Sequence, residues 1–181
     1  MDRSLAIDIA SVSFGKPSEG GVPPSNYTQY PDIHEGSVVF NFPDPTSVNF
    51  RVYNQKEPWA TFDKKDEADS VDLAIPSPKG SEMLAFCGGT LDGEKWEEDP
   101  SGIANILMSL KIQTAPYNGK YTEYIFPKCK ILGKISQAPG VEDTDLLLIR
   151  ATKQAVRDAS GKPLPGMSRE VKDVDNVESE D

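Results

Sequence analysis

Two neighbouring stretches of this chain alternate apolar and polar residues so regularly that they constrain everything around them. In residues 106–114, Ile106, Met108, Leu110 and Ile112 fall on one face, and Ser109, Lys111 and Gln113 on the other. In residues 124–135, Ile125, Cys129, Ile131 and Ile135 share a face, while Lys128, Lys130 and Lys134 point the opposite way. A period of two over runs this long predicts half-buried strands, one face on a core and one on something wetter. Between them lies Asn118-Gly119, the dipeptide that best accepts the positive φ of a tight hairpin turn. The expectation is a long antiparallel hairpin.

The rest of the chain is punctuated in the same style. Fifteen prolines and fourteen glycines, with little helical periodicity, predict an all-β, loop-rich fold. Residues 5–14 alternate weakly and read as a strand or extended arm. Residues 15–32, with Gly20-Gly21 and Pro23-Pro24, cannot support a helix or a central strand. Residues 37–42 and 48–53 form a second hairpin candidate, with Pro43-Asp44-Pro45-Thr46 as its turn. Residues 56–69 read as a charged loop, in which Trp59 and Phe62 sit among eight charged residues. Those two aromatics either tuck back onto the sheet or anchor a partner, since Trp is enriched at interface hot spots. A second charged loop, residues 93–102, carries Trp96 among acids.

Val71, Leu73 and Ile75 make another strand face. After it, Ser77-Pro78 opens the one good helix candidate, with Ser77 as cap and Gly88-Gly89 as its end. Residues 145–152 are apolar on both faces and predict a central strand. Seven or eight strands and one helix result. The last twelve residues hold six acids against Lys172, in a segment too polar to fold alone. The expected divisions are an N-terminal arm and loop (1–32), a β domain (33–165) and an acidic tail (166–181).

Charge and chemistry narrow the function. The net charge of −10 removes the surplus of Lys and Arg that nucleic-acid phosphates or an anionic membrane would need. No stretch approaches the ~18 apolar residues of a membrane span. Cys87 and Cys129 are far apart, outside any metal-ligand spacing, and read as buried thiols in a reducing cytoplasm. The single histidine, His34, lies in a loop without a nucleophile in its context. Glu97-Glu98-Asp99 and the Glu142, Asp143, Asp145 cluster lack the glycine and terminal glutamate of an EF-hand loop. No catalytic residue, cofactor site or metal site is nominated, and the chain is expected not to be an enzyme.

From residue 37 to residue 152 the order of elements resembles the tail tube (major tail) proteins of tailed bacteriophages. The resemblance rests on the early strand pair and a long charged loop. It rests also on the helix ending Leu84-Ala85-Phe86-Cys87-Gly88-Gly89, and on the strand Tyr124-Ile125-Phe126-Pro127-Lys128-Cys129-Lys130-Ile131-Leu132-Gly133-Lys134-Ile135. It implies a β-sandwich or barrel of seven or eight antiparallel strands with one short flanking helix and long loops. It further implies self-assembly into hexameric rings that stack into a conduit for DNA, in the virion tail, assembled in the bacterial host cytoplasm. Tape-measure and neck or tail-tip proteins would be the other partners, DNA would be met only in passage, and no membrane would be bound. The same fold serves the tubes of type VI secretion and other contractile injection systems. A binding module, such as a receptor- or carbohydrate-binding β-sandwich of a tail structure, is the other class. On the tube reading, Trp59, Phe62, Trp96, Lys128, Lys130 and Lys134 are the expected inter-subunit contacts.

Overall fold

A computed structural model describes residues 5–22 and 24–174. The fold is mainly β. One eight-stranded antiparallel sheet runs in the order β2-β1-β9-β10-β11-β6-β3, with β14 also on β10. Its members are β1 (Ile7–Gly15), β2 (Tyr27–Gln29), β3 (Val39–Asn41), β6 (Ser70–Pro76), β9 (Ile106–Ala115), β10 (Lys120–Gln137), β11 (Leu146–Lys153) and β14 (Ser168–Asp173). Three two-stranded ribbons stand off it: β4–β5 (Thr46–Phe50, Ala60–Lys64), β7–β8 (Thr90–Asp92, Lys95–Glu97) and β12–β13 (Val156–Arg157, Pro163–Leu164).

The expected long hairpin is β9–β10. Its turn places Asn118 and Gly119 at φ 51° and 72°, the left-handed pair that such a turn needs. β10 is the axis of the molecule. One of its edges pairs with β9; the other pairs with β14 along its first half and with β11 along its second. The handover occurs at a bulge. Phe126 opposes Leu110 and Cys129 opposes Met108, so β10 has one residue more than its partner. Pro127, which has no N–H to give a ladder, lies inside this irregularity.

The bulge corrects one expectation. Ile125 and Cys129 do not share a face, because an extra residue inverts the alternation. Thr122 and Phe126 are fully buried before the bulge, and Cys129 and Ile131 after it.

The sheet rolls over onto itself. Phe40 of β3 packs against Tyr124 and Phe126 of β10 at ring-centroid distances of 5.3 and 6.0 Å, although β11 and β6 lie between those strands in the sheet. The enclosed core holds Val12 and Phe14 from β1, Val71, Leu73 and Ile75 from β6, and Leu110 and Ile112 from β9. β10 adds Phe126, Cys129 and Ile131; β11 adds Leu147, Ile149 and Ala151. The segment after β2 bridges the remaining gap. Tyr30 N donates to Val12 O on one side, and His34 N to Ala74 O on the other. β11 is the central strand that its apolar character predicted, flanked by β10 and β6.

Helix α1 (Gly80–Cys87) covers one end of the core. It is capped at Lys79 rather than Ser77. Lys79 N donates to the Glu82 carboxylate at 2.8 Å, and Met83 N to Lys79 O. Ser77 has φ 47° and is bonded instead to the connection before β11, donating its N–H to Asp145 O and accepting the Thr144 hydroxyl. Gly88, at φ 71°, ends the helix as expected. Phe86 reaches Phe14 and Tyr30, at 4.9 Å from each.

Two other expectations are corrected. Residues 37–42 do not pair with residues 48–53: β3 pairs with β6, and β4 pairs with β5. The charged stretch 56–69 is therefore not all loop, since β5 lies inside it. β1 is an inner strand between β2 and β9, and β14 is built from residues too polar to fold alone, held by six consecutive pairings to β10. Residues 175–181 lie outside the described residues.

Polar pairs tie the strand faces together. Glu123, only 4% exposed, receives the Lys172 ammonium of β14 and the Gln113 amide of β9, each at 2.7 Å. Desolvation pushes its carboxyl up, but these two bonds and the nearby Lys172 and Lys111 charges outweigh it and hold it below the usual range. The bidentate guanidinium of Arg150 likewise lowers Asp72, at 2.8 and 2.9 Å. Both carboxylates are depressed in the folded state. Their stabilisation is therefore complete above the unfolded value near pH 4 and is lost as pH falls through the lower folded values.

Replacing Lys172 with Met should reverse the slope for Glu123. With its cation gone, desolvation dominates and the folded carboxyl lies above its unfolded value. The variant is expected to lose about 1–2 kcal/mol at pH 7, less than a fully buried pair because Lys172 is 36% exposed. That deficit should shrink towards pH 5, as the raised Glu123 carboxyl of the variant takes up its proton while the natural chain keeps its full stabilisation there. Urea midpoints at pH 7, 6 and 5 measure this; parallel pH dependences would show that Glu123 does not depend on Lys172.

Candidate functional site

The ribbon β4–β5 is amphipathic. Val48 opposes Phe62, and Phe50 opposes Ala60, on one face. On the other, the Ser47 hydroxyl donates to Asp63 at 2.7 Å and the Thr61 hydroxyl to Asn49 at 2.8 Å. Phe50 and Phe62 stack at 5.5 Å. This is the pattern of a strand pair with one buried face, yet among the described residues nothing buries it. Phe50 is 52% exposed, Phe62 49% and Trp59 75%, and the ribbon is hydrogen-bonded to no strand of the main sheet. Val52 and Tyr53 at its tip are also exposed. An isolated two-stranded ribbon is marginal in water, so its apolar face is a surface in need of a partner.

Trp96 sits differently. It packs against the core beside α1, and its indole N–H donates to Gly88 O at 2.8 Å, so its apolar body and its donor are both engaged within the chain. The acids around it are exposed, with Lys95 paired to Glu97.

Lys128 lies within the bulge of β10, and Lys130 and Lys134 follow it, opposite to Cys129 and Ile131. Leu132 between them is 59% exposed. Across the sheet lies Arg150, the cross-strand partner of Leu132, which is committed to Asp72. The residue-level expectation named Trp59, in the loop before β5, Phe62, in β5, Trp96, in β8, and the three lysines, which lie on the main sheet. It omitted Phe50, Tyr53 and Leu132. Phe50 was legible in the alternation of residues 48–52; its stacking on Phe62 was masked by the charges around residue 62.

Among the described residues no group of three or more His, Cys, Asp or Glu side chains is placed to hold a metal ion. His34 lines a recess of about 450 Å³ with Asp8, Glu35, Phe40 and Tyr124, and its Nδ1 lies 2.9 Å from its neighbour's backbone carbonyl, Glu35 O. Both cysteines are free thiols; burial pushes Cys129 to about 12, so it stays protonated and inert at neutral pH. Among the described residues no helix is long and apolar enough to cross a membrane.

No protein-family model matches the chain, and a search of curated proteins finds no match.

Proposed function

We propose that the chain is a non-enzymatic structural subunit that assembles with copies of itself, and that the assembly is a phage tail tube of stacked rings forming a conduit for DNA. The observation that carries this reading is the β4–β5 ribbon, whose apolar face has no cover among the described residues. A neighbouring copy supplies that cover. The free edges of β3 and β14 offer backbone groups for strand pairing between subunits, and the net negative charge keeps passing DNA from adhering. The other partners on this reading are tape-measure and neck or tail-tip proteins, and the place of action is the virion tail. The tube of a secretion or contractile injection system would use the same surfaces.

Negative-stain electron microscopy, with light scattering behind a sizing column, tests this directly. Rings or tubes of the purified chain are expected. A strictly monomeric protein at high concentration, also unable to co-assemble with neck or tape-measure partners, would sink the proposal. One observation favours a binding module instead: Tyr53 and Trp59 stand exposed on the same ribbon, 90% and 75%, as aromatics that stack on sugar rings do. Glycan binding by a chain that stays monomeric would establish that reading.

A further inference from the structure

The rolled sheet is open along one side, and a recess occupies the opening. β1 has β9 on one edge, but β2 covers its other edge only at Ser13–Gly15, and β3 ends the sheet on the far side. The segment after β2 spans the gap from Tyr30 to His34, and the recess of about 450 Å³ lies among this segment, the first half of β1 and β3. Small-molecule pockets are typically about 300–1,000 Å³, and the mouth of a rolled sheet is one of the places where they form.

The lining favours one class of ligand. Tyr30, Phe40 and Tyr124 give it aromatic walls, with Phe40 edge-on to Tyr124 at 5.3 Å. Two carboxylates line it, Asp8 from β1 and Glu35 from the spanning segment, and no Lys or Arg does. Neither acid joins an ion pair among the described residues. Arg169 of β14 lies 5.8 Å from the centre of the Tyr124 ring and pairs with neither of them. A separate observation comes from below. Thr122 alternates onto the same inner face as Tyr124 and Phe126, and its N–H donates at 2.9 Å to Thr114 Oγ1, whose residue also lines the recess. Thr122 is fully buried, yet its hydroxyl has no hydrogen-bond partner among the described residues, an arrangement that costs free energy until a partner arrives. Donors are scarcer than acceptors, since the Ser11 hydroxyl is already given to Gln113 at 3.0 Å. A sugar needs both kinds of partner. An ammonium or guanidinium group needs only acceptors, and aromatic faces attract its charge.

We propose that this recess binds an organic cation, an ammonium or guanidinium group on an apolar stem. Asp8 and Glu35 hold the charge, Tyr30, Phe40 and Tyr124 enclose the stem, and the Thr122 hydroxyl is a further acceptor at the floor. The site does not depend on self-assembly. The same chemistry has two sources, a free amine and a Lys or Arg side chain of a second copy.

Titration of the full chain with phenethylammonium, followed by amide chemical shifts, tests this beside 2-phenylethanol, which carries the same apolar body without the charge. The ammonium is expected to bind about tenfold more tightly, with the largest shifts at residues 8–12 and 33–40. Equal affinities would overturn the proposal. Asp8→Asn with Glu35→Gln removes both charges and keeps the shape, since asparagine accepts the φ of 58° at residue 8 as aspartate does. That variant is expected to lose about tenfold in ammonium binding and nothing in 2-phenylethanol binding; undiminished ammonium binding would also overturn the proposal. Thr122→Val should weaken binding about threefold while raising the urea midpoint, because an unpaired buried hydroxyl is removed. An unchanged affinity there would strike the hydroxyl from the site. Binding that appears only after Arg3→Ser would give the carboxylates to this chain's own arginine and refute an external ligand. Sedimentation at saturating phenethylammonium separates the two sources. Loss of self-association marks a side chain of a second copy as the occupant, and an unchanged sedimentation coefficient marks a free amine.

Discussion

Serine at Trp59 and Phe62 together is expected to abolish assembly while leaving the rolled sheet folded. Neither residue belongs to the core, and β4–β5 is bonded to no strand of the main sheet, so unfolding stability should change by no more than about 0.5 kcal/mol. The loss at an interface is of another order. Large aromatics that become desolvated in a contact cost about 2 kcal/mol or more each when truncated, and two of them shift an association constant by roughly 10³-fold. Phe62 also stacks on Phe50 at 5.5 Å, so its loss loosens the ribbon itself. Trp59 has no such partner, and Trp59→Ser alone separates docking from ribbon stability. Sedimentation velocity beside urea unfolding measures the two effects. Intact tubes from the double variant would remove the ribbon from the interface.

Gly133→Val is expected to have the opposite profile, damaging the fold first. α1 lies so close to β10 at this point that a Cβ on Gly133 would fall 2.6 Å from the Phe86 carbonyl oxygen, 2.9 Å from its carbon and 3.0 Å from the Cys87 sulfur. Two of those three atoms are backbone, so the helix must move as a body. Overpacking of this kind costs about 3 kcal/mol, and the displaced helix would withdraw Phe86 from Phe14 and Tyr30. Gly133→Ala should cost about 2 kcal/mol. Gly140→Ala, whose added carbon would meet nothing closer than 3.7 Å, serves as the neutral control. Equal urea midpoints for Gly133→Val and the control would show that the helix does not rest on this glycine.

The two predictions touch surfaces that differ in how visible they were beforehand. Gly133 lies in a strand whose alternation is plain, but the need for a missing side chain comes from a helix more than forty residues earlier in the chain. Trp59 and Phe62 stood out by type alone. What their sequence surroundings hid was the strand beneath Phe62. Asp63, Lys64 and Lys65 give that segment the composition of a loop, yet alternation only asks that charges lie on one side. Asp63 does so, receiving the Ser47 hydroxyl on the polar face. Ser77 failed as a cap for a related reason: its backbone conformation answers to Asp145, a residue that sequence proximity could not suggest.

By itself the sequence determined the local facts. A period of two made β9 and β10 strands, an apolar run made β11 one, Asn118-Gly119 made the turn, and Gly88 stopped the helix, because each depends on residues within a few positions of one another. Only the tertiary structure decided which strands met. β3 chose β6 over β4, the bulge at Pro127 reversed the facing of half of β10, and the polar segment 168–173 became a strand because β10 offered it an edge. Pairing is set by burial and by hydrogen bonds between residues up to a hundred positions apart, and those energies are not written in any single stretch.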